Sequence, residues 1–228
     1  MIKFENTDVF NFEGAFRGMR NPLNSWEMSD SEVCPDAVGF EDCKSNNPKC
    51  PRDDDNFAKA VFCIGPNDMD LARRLIKAGS DHRKFLRQIF VSVDITAPLY
   101  WWKEFDTYKV ATVANSCSTM HKLTEKEFTI EDFSHDKLNR DGLAVLSALL
   151  YSFNAWRDIY LEEKDKESWW QLIQLLPTSY NQKRTVTLNY ETLRNIYGSR
   201  RNHKLDEWSV GFMDWIKSLP YAEELITS

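Results

Sequence analysis

Between Ile89 and Ile95 the chain alternates, with Ile89, Val91, Val93 and Ile95 set against Phe90, Ser92 and Asp94. A period of two over this length predicts a strand with one strongly apolar face. Thr96, Ala97 and Pro98 predict its end. Beyond the proline the spacing turns helical. Tyr100 to Lys109 predicts a short helix with Trp101, Phe105 and Tyr108 on one face and Lys103, Asp106 and Lys109 on the other. A strand that runs through a proline corner into a donor-rich helix can aim polar groups at a ligand. The alternative is an amphipathic helix with solvated charges.

The same patterns organise the rest of the chain. Ile2, Phe4, Val9, Phe10 and Phe12 predict one or two N-terminal strands, followed by turns at Gly14, Gly18, Asn21 and Pro22 around Arg17 and Arg20. Ala58 to Ile64 reads as a short buried strand or helix end before the Gly65-Pro66 turn. A helix capped by Asn67 or Asp68 then carries Leu71, Ala72, Leu75 and Ile76 and stops at Gly79. A long helix from about Leu143 to Leu161 has apolar residues three and four apart, as expected of core or subunit packing, and a short SWWQLIQLL helix follows it. Thr185 to Leu188 reads as extended, and Asn189 is placed to cap a helix starting at Tyr190. The last helix buries Trp208, Phe212, Trp215, Ile216 and Leu219. No repeat is visible.

Composition narrows the class. A chain of 228 residues with 42% hydrophobic and 13% aromatic residues can build a large core, read here as one domain over 1–228. Its Asp-, Asn- and Cys-rich stretch at about 29–55 reads as a surface loop or insertion. A net charge of -6 disfavours a broad grip on a nucleic-acid polymer and favours a small-molecule partner. No signal peptide or membrane span is read, and an odd count of five cysteines favours reduced thiols, so the expected location is cytoplasmic. Cys34, Cys43 and Cys50 lack the paired C-x2-4-C knuckles of a structural zinc site, and no metal is expected.

The common dinucleotide, P-loop, zinc-hydrolase and serine-hydrolase motifs are absent. Cys117 and His121 form a conceivable nucleophile and base, although a spacing of four is a common accident.

Two segments carry a resemblance. LIKAGSDHRKFLRQIFVSVDITAPLYWWKEFDTYK is similar to the helix, glycine turn, strand and proline corner that lead into R-Q-W-x-R-H-R-x-x-S in flavin-dependent thymidylate synthases. LLPTSYNQKRTVTLNYETLRNIYGSR resembles the same family's L-P, asparagine and L-R segments. The resemblance spans about Leu71 to Trp215. It implies an α+β fold with mixed strands packed on long helices, a homo-oligomer (a tetramer by family habit), FAD as cofactor, and methylation of dUMP to dTMP with methylenetetrahydrofolate.

Carried over by position, Lys103 and Glu104 stand where the family has Arg and Gln, and Thr107, Tyr108 and Lys109 where it has R-H-R. Thr112 falls at the active-site serine. Asn115 and Ser118 resemble N-E-x-S with one residue inserted. Ser80, His82, Asn189 and Asn195 fall on the cofactor side, and Arg200 matches the arginine that binds and polarises the pyrimidine. The implied roles are catalysis for Arg200 and Thr112, flavin contact for Thr107, Tyr108 and Lys109, and substrate binding for Lys103, Glu104, Asn115 and Ser118. Tyr108 and Trp102 are candidates to stack on flavin or folate rings, against the alternative of core packing.

The departures have consequences. Lysine keeps the charge of arginine and loses the two-pronged grip on phosphate. Met120 and Ile173 replace nucleotide-binding arginines, and Glu191 replaces a basic flavin contact, where it would repel a dinucleotide unless paired locally. Two rival functions therefore stand beside the enzyme: a nucleotide- or flavin-binding member without methyl transfer, and an interaction protein that uses the cysteine loop.

Overall fold

The computed structural model describes residues 2–33 and 62–228, so Cys34, Cys43, Cys50 and most of the predicted loop lie outside the described residues. The alternating run becomes β4 (Phe90–Pro98), the second strand of a four-stranded sheet. Its companions are β1 (Lys3–Phe10), β6 (Asn181–Asn189) and β5 (Val113–Ser116), in the order β1-β4-β6-β5. Val91, Val93, Ile95 and Ala97 are fully buried along one face of β4, as the period of two predicts. The strand does not stop at Thr96; it runs on to Pro98, whose missing N–H suits a strand end. β2 (Glu32–Val33) and β3 (Phe62–Cys63) form a separate antiparallel pair, with Glu32 opposite Cys63 and Val33 opposite Phe62. The fold is thus mixed helix and sheet, the α+β class expected.

The chain divides into two compact units: Met1–Thr7, Val93–Val186 and Leu205–Glu207 in the first, and Asp8–Ser92, Thr187–Lys204 and Trp208–Ser228 in the second. Strands β1, β4 and β6 each contribute residues to both. The first unit holds α3 (Leu99–Phe105), α4 (Arg140–Glu163) and α5 (Lys166–Leu175). Asn139 and Asp165 cap α4 and α5 by accepting from Gly142 and Ser168 N–H. Leu146 and Phe153 of α4 pack with Phe128, Phe133 and Leu172 in one apolar cluster.

The second unit holds α1 (Phe12–Arg20), α2 (Pro66–Ala78), α6 (Tyr190–Arg200) and α7 (Met213–Ser218), with π-helical turns at Glu207–Phe212 and Glu223–Thr227. The turns predicted at Gly14 and Gly18 are instead helix interior. Phe12, Ala15, Phe16 and Met19 form an apolar stripe whose burial outweighs the low helix propensity of glycine. The cap of α2 also differs from expectation. Gly65 is the N-cap and Pro66 the first helical residue, while the Asp30 carboxylate accepts from the N–H groups of Asn67 and Asp68 at 2.8 and 3.0 Å. A Cβ on Gly65 would sit 2.3 Å from the Asp30 carbonyl oxygen, so this junction requires glycine. Asp68 is used elsewhere, in a buried ion pair with Arg20.

Candidate functional site

In the second unit, Gly79 ends α2 at φ 108°, and its carbonyl accepts from His82 and Arg83 N–H, both at 3.1 Å. This tight turn aims the Arg83 side chain at the first turn of α6. Its Nε donates to both carboxylate oxygens of Glu191, at 2.9 and 3.2 Å, and its Nη2 lies 3.5 Å from Asn195 Oδ1. Glu191 is buried, and the pairing supplies the local partner that its position demands. Arg194, one turn on, donates to the carbonyls of Ile226 and Ser228 at 2.9 and 2.7 Å. Burial lowers the Arg194 pKa, and the nearby Arg83 charge lowers it further, against the opposing pull of Glu191.

Asn189 caps α6 as expected, accepting from Thr192 N–H at 2.9 Å while its Nδ2 donates to the Arg87 carbonyl at 3.2 Å. Both ends of this buried amide are therefore engaged in joining α6 to the segment before β4. Asn195 is exposed. Arg200 lies about 140° further round the helix than Asn195, at ~100° per residue; its guanidinium sits 5.1 Å from the centre of the Trp208 ring. Ser80 and His82 are exposed, with the Ser80 carbonyl accepting from Arg87 Nη2 at 3.3 Å.

In the first unit, the predicted helix over Tyr100 to Lys109 ends early. α3 stops at Phe105, and the chain closes through Thr107 N–H and Oγ1–H, both donating to the Glu104 carbonyl, at 3.2 and 2.7 Å. Tyr108 and Lys109 lie past the helix, so Lys103, Asp106 and Lys109 do not share a helical face. The start of α3 is tied down by Leu99 and Tyr100 N–H donating to the Tyr180 and Thr178 carbonyls, both at 3.0 Å. Trp101, Trp102 and Phe105 are wholly buried. Trp102 belongs to the core rather than to a stacking platform: its Nε1 donates to the Gln182 carbonyl at 2.9 Å, and Arg184 covers its ring at 4.2 Å. Arg184, which the sequence did not single out, also donates to Asp106 Oδ1 at 2.7 Å and fixes the exit of α3.

Within α3 Lys103 is exposed and Glu104 half-buried; past its exit Thr107 and Lys109 are exposed and Tyr108 half-buried. Ala111 takes φ 56° and turns the chain into β5. Just before that strand, the Thr112 hydroxyl oxygen is sheltered from solvent and has no hydrogen-bond partner among the described residues. Asn115 is exposed on β5. The Ser118 hydroxyl accepts from Met120 and His121 N–H at 3.3 and 3.0 Å, which makes it the pivot of a turn. Cys117 is exposed, with its N–H donating to the Lys183 carbonyl at 2.9 Å and its carbonyl accepting from Gln182 Nε2 at 2.7 Å. Beyond Ser118 a cavity of about 290 Å³ is lined by Met120, His121, Tyr160, Lys164, Lys166 and Trp169, among others.

Among the described residues no helix is long and apolar enough to cross a membrane, and no group of three or more His, Cys, Asp or Glu side chains is placed to hold a metal ion.

The chain has the fold of the flavin-dependent thymidylate synthases. Two solved structures of thymidylate synthase X from Helicobacter pylori, both with FAD and dUMP, match the chain. One has a TM-score of 0.65 at 15% identity, covering 99% of this chain and 97% of the other. The second has a TM-score of 0.63 at 15% identity, covering 98% and 97%. No family model matches the chain, and no curated protein matches it by sequence. At this identity the likeness is one of fold, and it extends over both chains nearly end to end.

Proposed function

We infer that the chain is a flavin-dependent, thymidylate synthase-like protein that binds FAD and dUMP and methylates dUMP to dTMP with methylenetetrahydrofolate. The observation that carries this reading is the near-complete overlap with a synthase structure holding FAD and dUMP. Each unit, taken by itself, carries side chains suited to such ligands. In the second unit, Arg83, Asn195 and Arg200 offer two guanidinium groups and an amide. In the first, the Thr112 hydroxyl is sheltered and has no partner among the described residues, which suits a donor to a ligand. The cavity beyond Ser118 is lined by Met120 together with Lys164, Asp165 and Lys166, so two lysines and one carboxylate share a lining with a position where the resemblance puts an arginine.

Bound FAD would supply hydride chemistry that no side chain can. The protein's own part is binding and electrostatics. Arg200 stabilises negative charge as it develops on the pyrimidine, Thr112 donates to the nucleotide, and Lys103 and Lys109 attract phosphate as point charges. A homo-oligomer accompanies this reading. Val145, Ala148, Tyr151 and Ala155 lie exposed on one side of α4 and supply a self-association surface.

The test is a flavin absorption spectrum of the purified protein, followed by an assay for dTMP with reduced FAD, methylenetetrahydrofolate and dUMP. Formation of dTMP supports the reading. Binding of dUMP with no dTMP formed favours a nucleotide-binding member without methyl transfer. That second reading draws on the exit of α3, where Thr107, Tyr108 and Lys109 offer a single cation. Absence of both flavin and dUMP binding removes both.

A further inference from the structure

The positive charge missing at position 191 is delivered from another part of the chain. Glu191 occupies the first turn of α6, where a carboxylate is favourable to the helix dipole but would repel a phosphate. Arg83 reaches it from the loop after α2 and is gripped through Nε, with 2.9 and 3.2 Å to the two oxygens. Gripping an arginine by Nε leaves its terminal nitrogens pointing onward. Nη2 extends to Asn195, the exposed residue one turn along the same face of α6. The Arg83 side chain keeps 18% of its surface open, whereas Glu191 keeps 10%. Arg194 stands close by but is committed to the carbonyls of Ile226 and Ser228. Two guanidinium groups around one carboxylate leave the cluster net positive in a chain of net charge -6, and Arg83 is the member held by side chains rather than by carbonyls. An arginine already held by a carboxylate has lost its rotamer freedom, so a ligand does not bear that cost again.

We propose that Arg83 is the residue through which the second unit contacts the phosphates of a bound flavin dinucleotide, with Glu191 as the positioning residue that aims it. This rests on the flavin reading above and adds to it which residue of this chain meets the anionic part of the cofactor. The sequence signal was the adjacent pair Arg83 and Lys84 after His82; what concealed it was a partner more than a hundred residues away.

The test measures FAD and riboflavin binding by flavin fluorescence on the full chain, comparing wild type with Arg83→Gln, Glu191→Gln, the neutral pair Arg83→Gln/Glu191→Gln and the exchanged pair Arg83→Glu/Glu191→Arg. Removing one charge-assisted hydrogen bond predicts FAD binding about tenfold weaker in Arg83→Gln, with a shallower salt dependence. Riboflavin has no phosphate to meet the guanidinium, so its binding should change by less than about twofold. The neutral pair leaves no buried charge unpaired, so it stays folded and still loses FAD. The exchanged pair restores binding, because it puts the guanidinium on α6 itself. Wild-type affinity in the folded neutral pair, equal losses of FAD and riboflavin, or an exchanged pair no better than Arg83→Gln would each overturn the proposal. Wild type that binds neither flavin would instead overturn the flavin reading on which it rests.

Discussion

Asp68→Asn tests the buried charge contact between Asp68 and Arg20 in the second unit. Asp68 has no exposed side-chain surface and Arg20 only 4%, and Nε to Oδ1 is 2.6 Å. The carboxylate also accepts from the hydroxyls of Ser29 and Ser31, at 2.6 and 2.5 Å, so one side chain ties together α1, α2 and the segment leading into β2. Removing one partner of a buried ion pair strands the other and costs about 3–5 kcal/mol. For a chain of this length that corresponds to a fall in Tm of roughly 6–20 °C, at about 2–4 °C per kcal/mol. Burial on its own raises the Asp68 pKa, but the two hydroxyls and Arg20 outweigh it and hold the carboxyl below its ordinary 3.8. A carboxyl depressed on folding contributes stability that is fully present above 3.8 and is lost as pH falls through the folded value. The deficit of Asp68→Asn should therefore be full at neutral pH and shrink in acid below 3.8. Urea unfolding at neutral and acid pH measures it, with Arg20→Leu/Asp68→Leu as the companion that removes both charges. A loss under about 1 kcal/mol at neutral pH, below the range for a broken buried pair, or a double variant less stable than Asp68→Asn, would refute the reasoning.

Asp94 makes a second, acid-sensitive contribution. Thr185 and Asn6 donate to it at 2.6 and 2.9 Å and Lys183 lies at 3.2 Å, which together hold its pKa down to about 2. The advantage of wild type over Asp94→Asn should be full above 3.8 and fade as pH falls towards about 2; a pH-independent gap in acid unfolding would contradict this. Burial raises the phenol pKa values of Tyr100, Tyr180 and Tyr190, helped at Tyr100 by its bond to Glu207, so these three should ionise above the ordinary 10.0 and then only with unfolding. A tyrosinate absorbance change accounting for all eight tyrosines while the protein is still folded would disprove it. Thr112→Val replaces a sheltered hydroxyl that has no partner among the described residues with a methyl group, so Tm should hold or rise while dUMP affinity falls about three- to tenfold, the worth of one hydrogen bond. Unchanged dUMP binding would remove Thr112 from the site.

Local pattern determined much of this protein without help from the fold. The alternation from Ile89 to Ile95, the three- and four-residue spacing along α4 and the asparagine before Tyr190 each state a short-range rule that survived folding, because burial rewarded the face they present. Near-neighbour spacing also carried the resemblance to the synthase fold. Tertiary structure decided where charges and helix ends fell. Just past the end of α3, Asp106 is held by Arg184 from a distant strand, and Asp68 takes no capping role because Arg20, Ser29 and Ser31 surround it. Glu191, which alone reads as a charge hostile to phosphate, becomes the anchor of Arg83. Sequence spacing fixes a side chain's direction relative to its own helix or strand. Only the folded chain fixes what stands opposite it, and for an ion in a poorly solvated place the opposite group sets both the cost and the use.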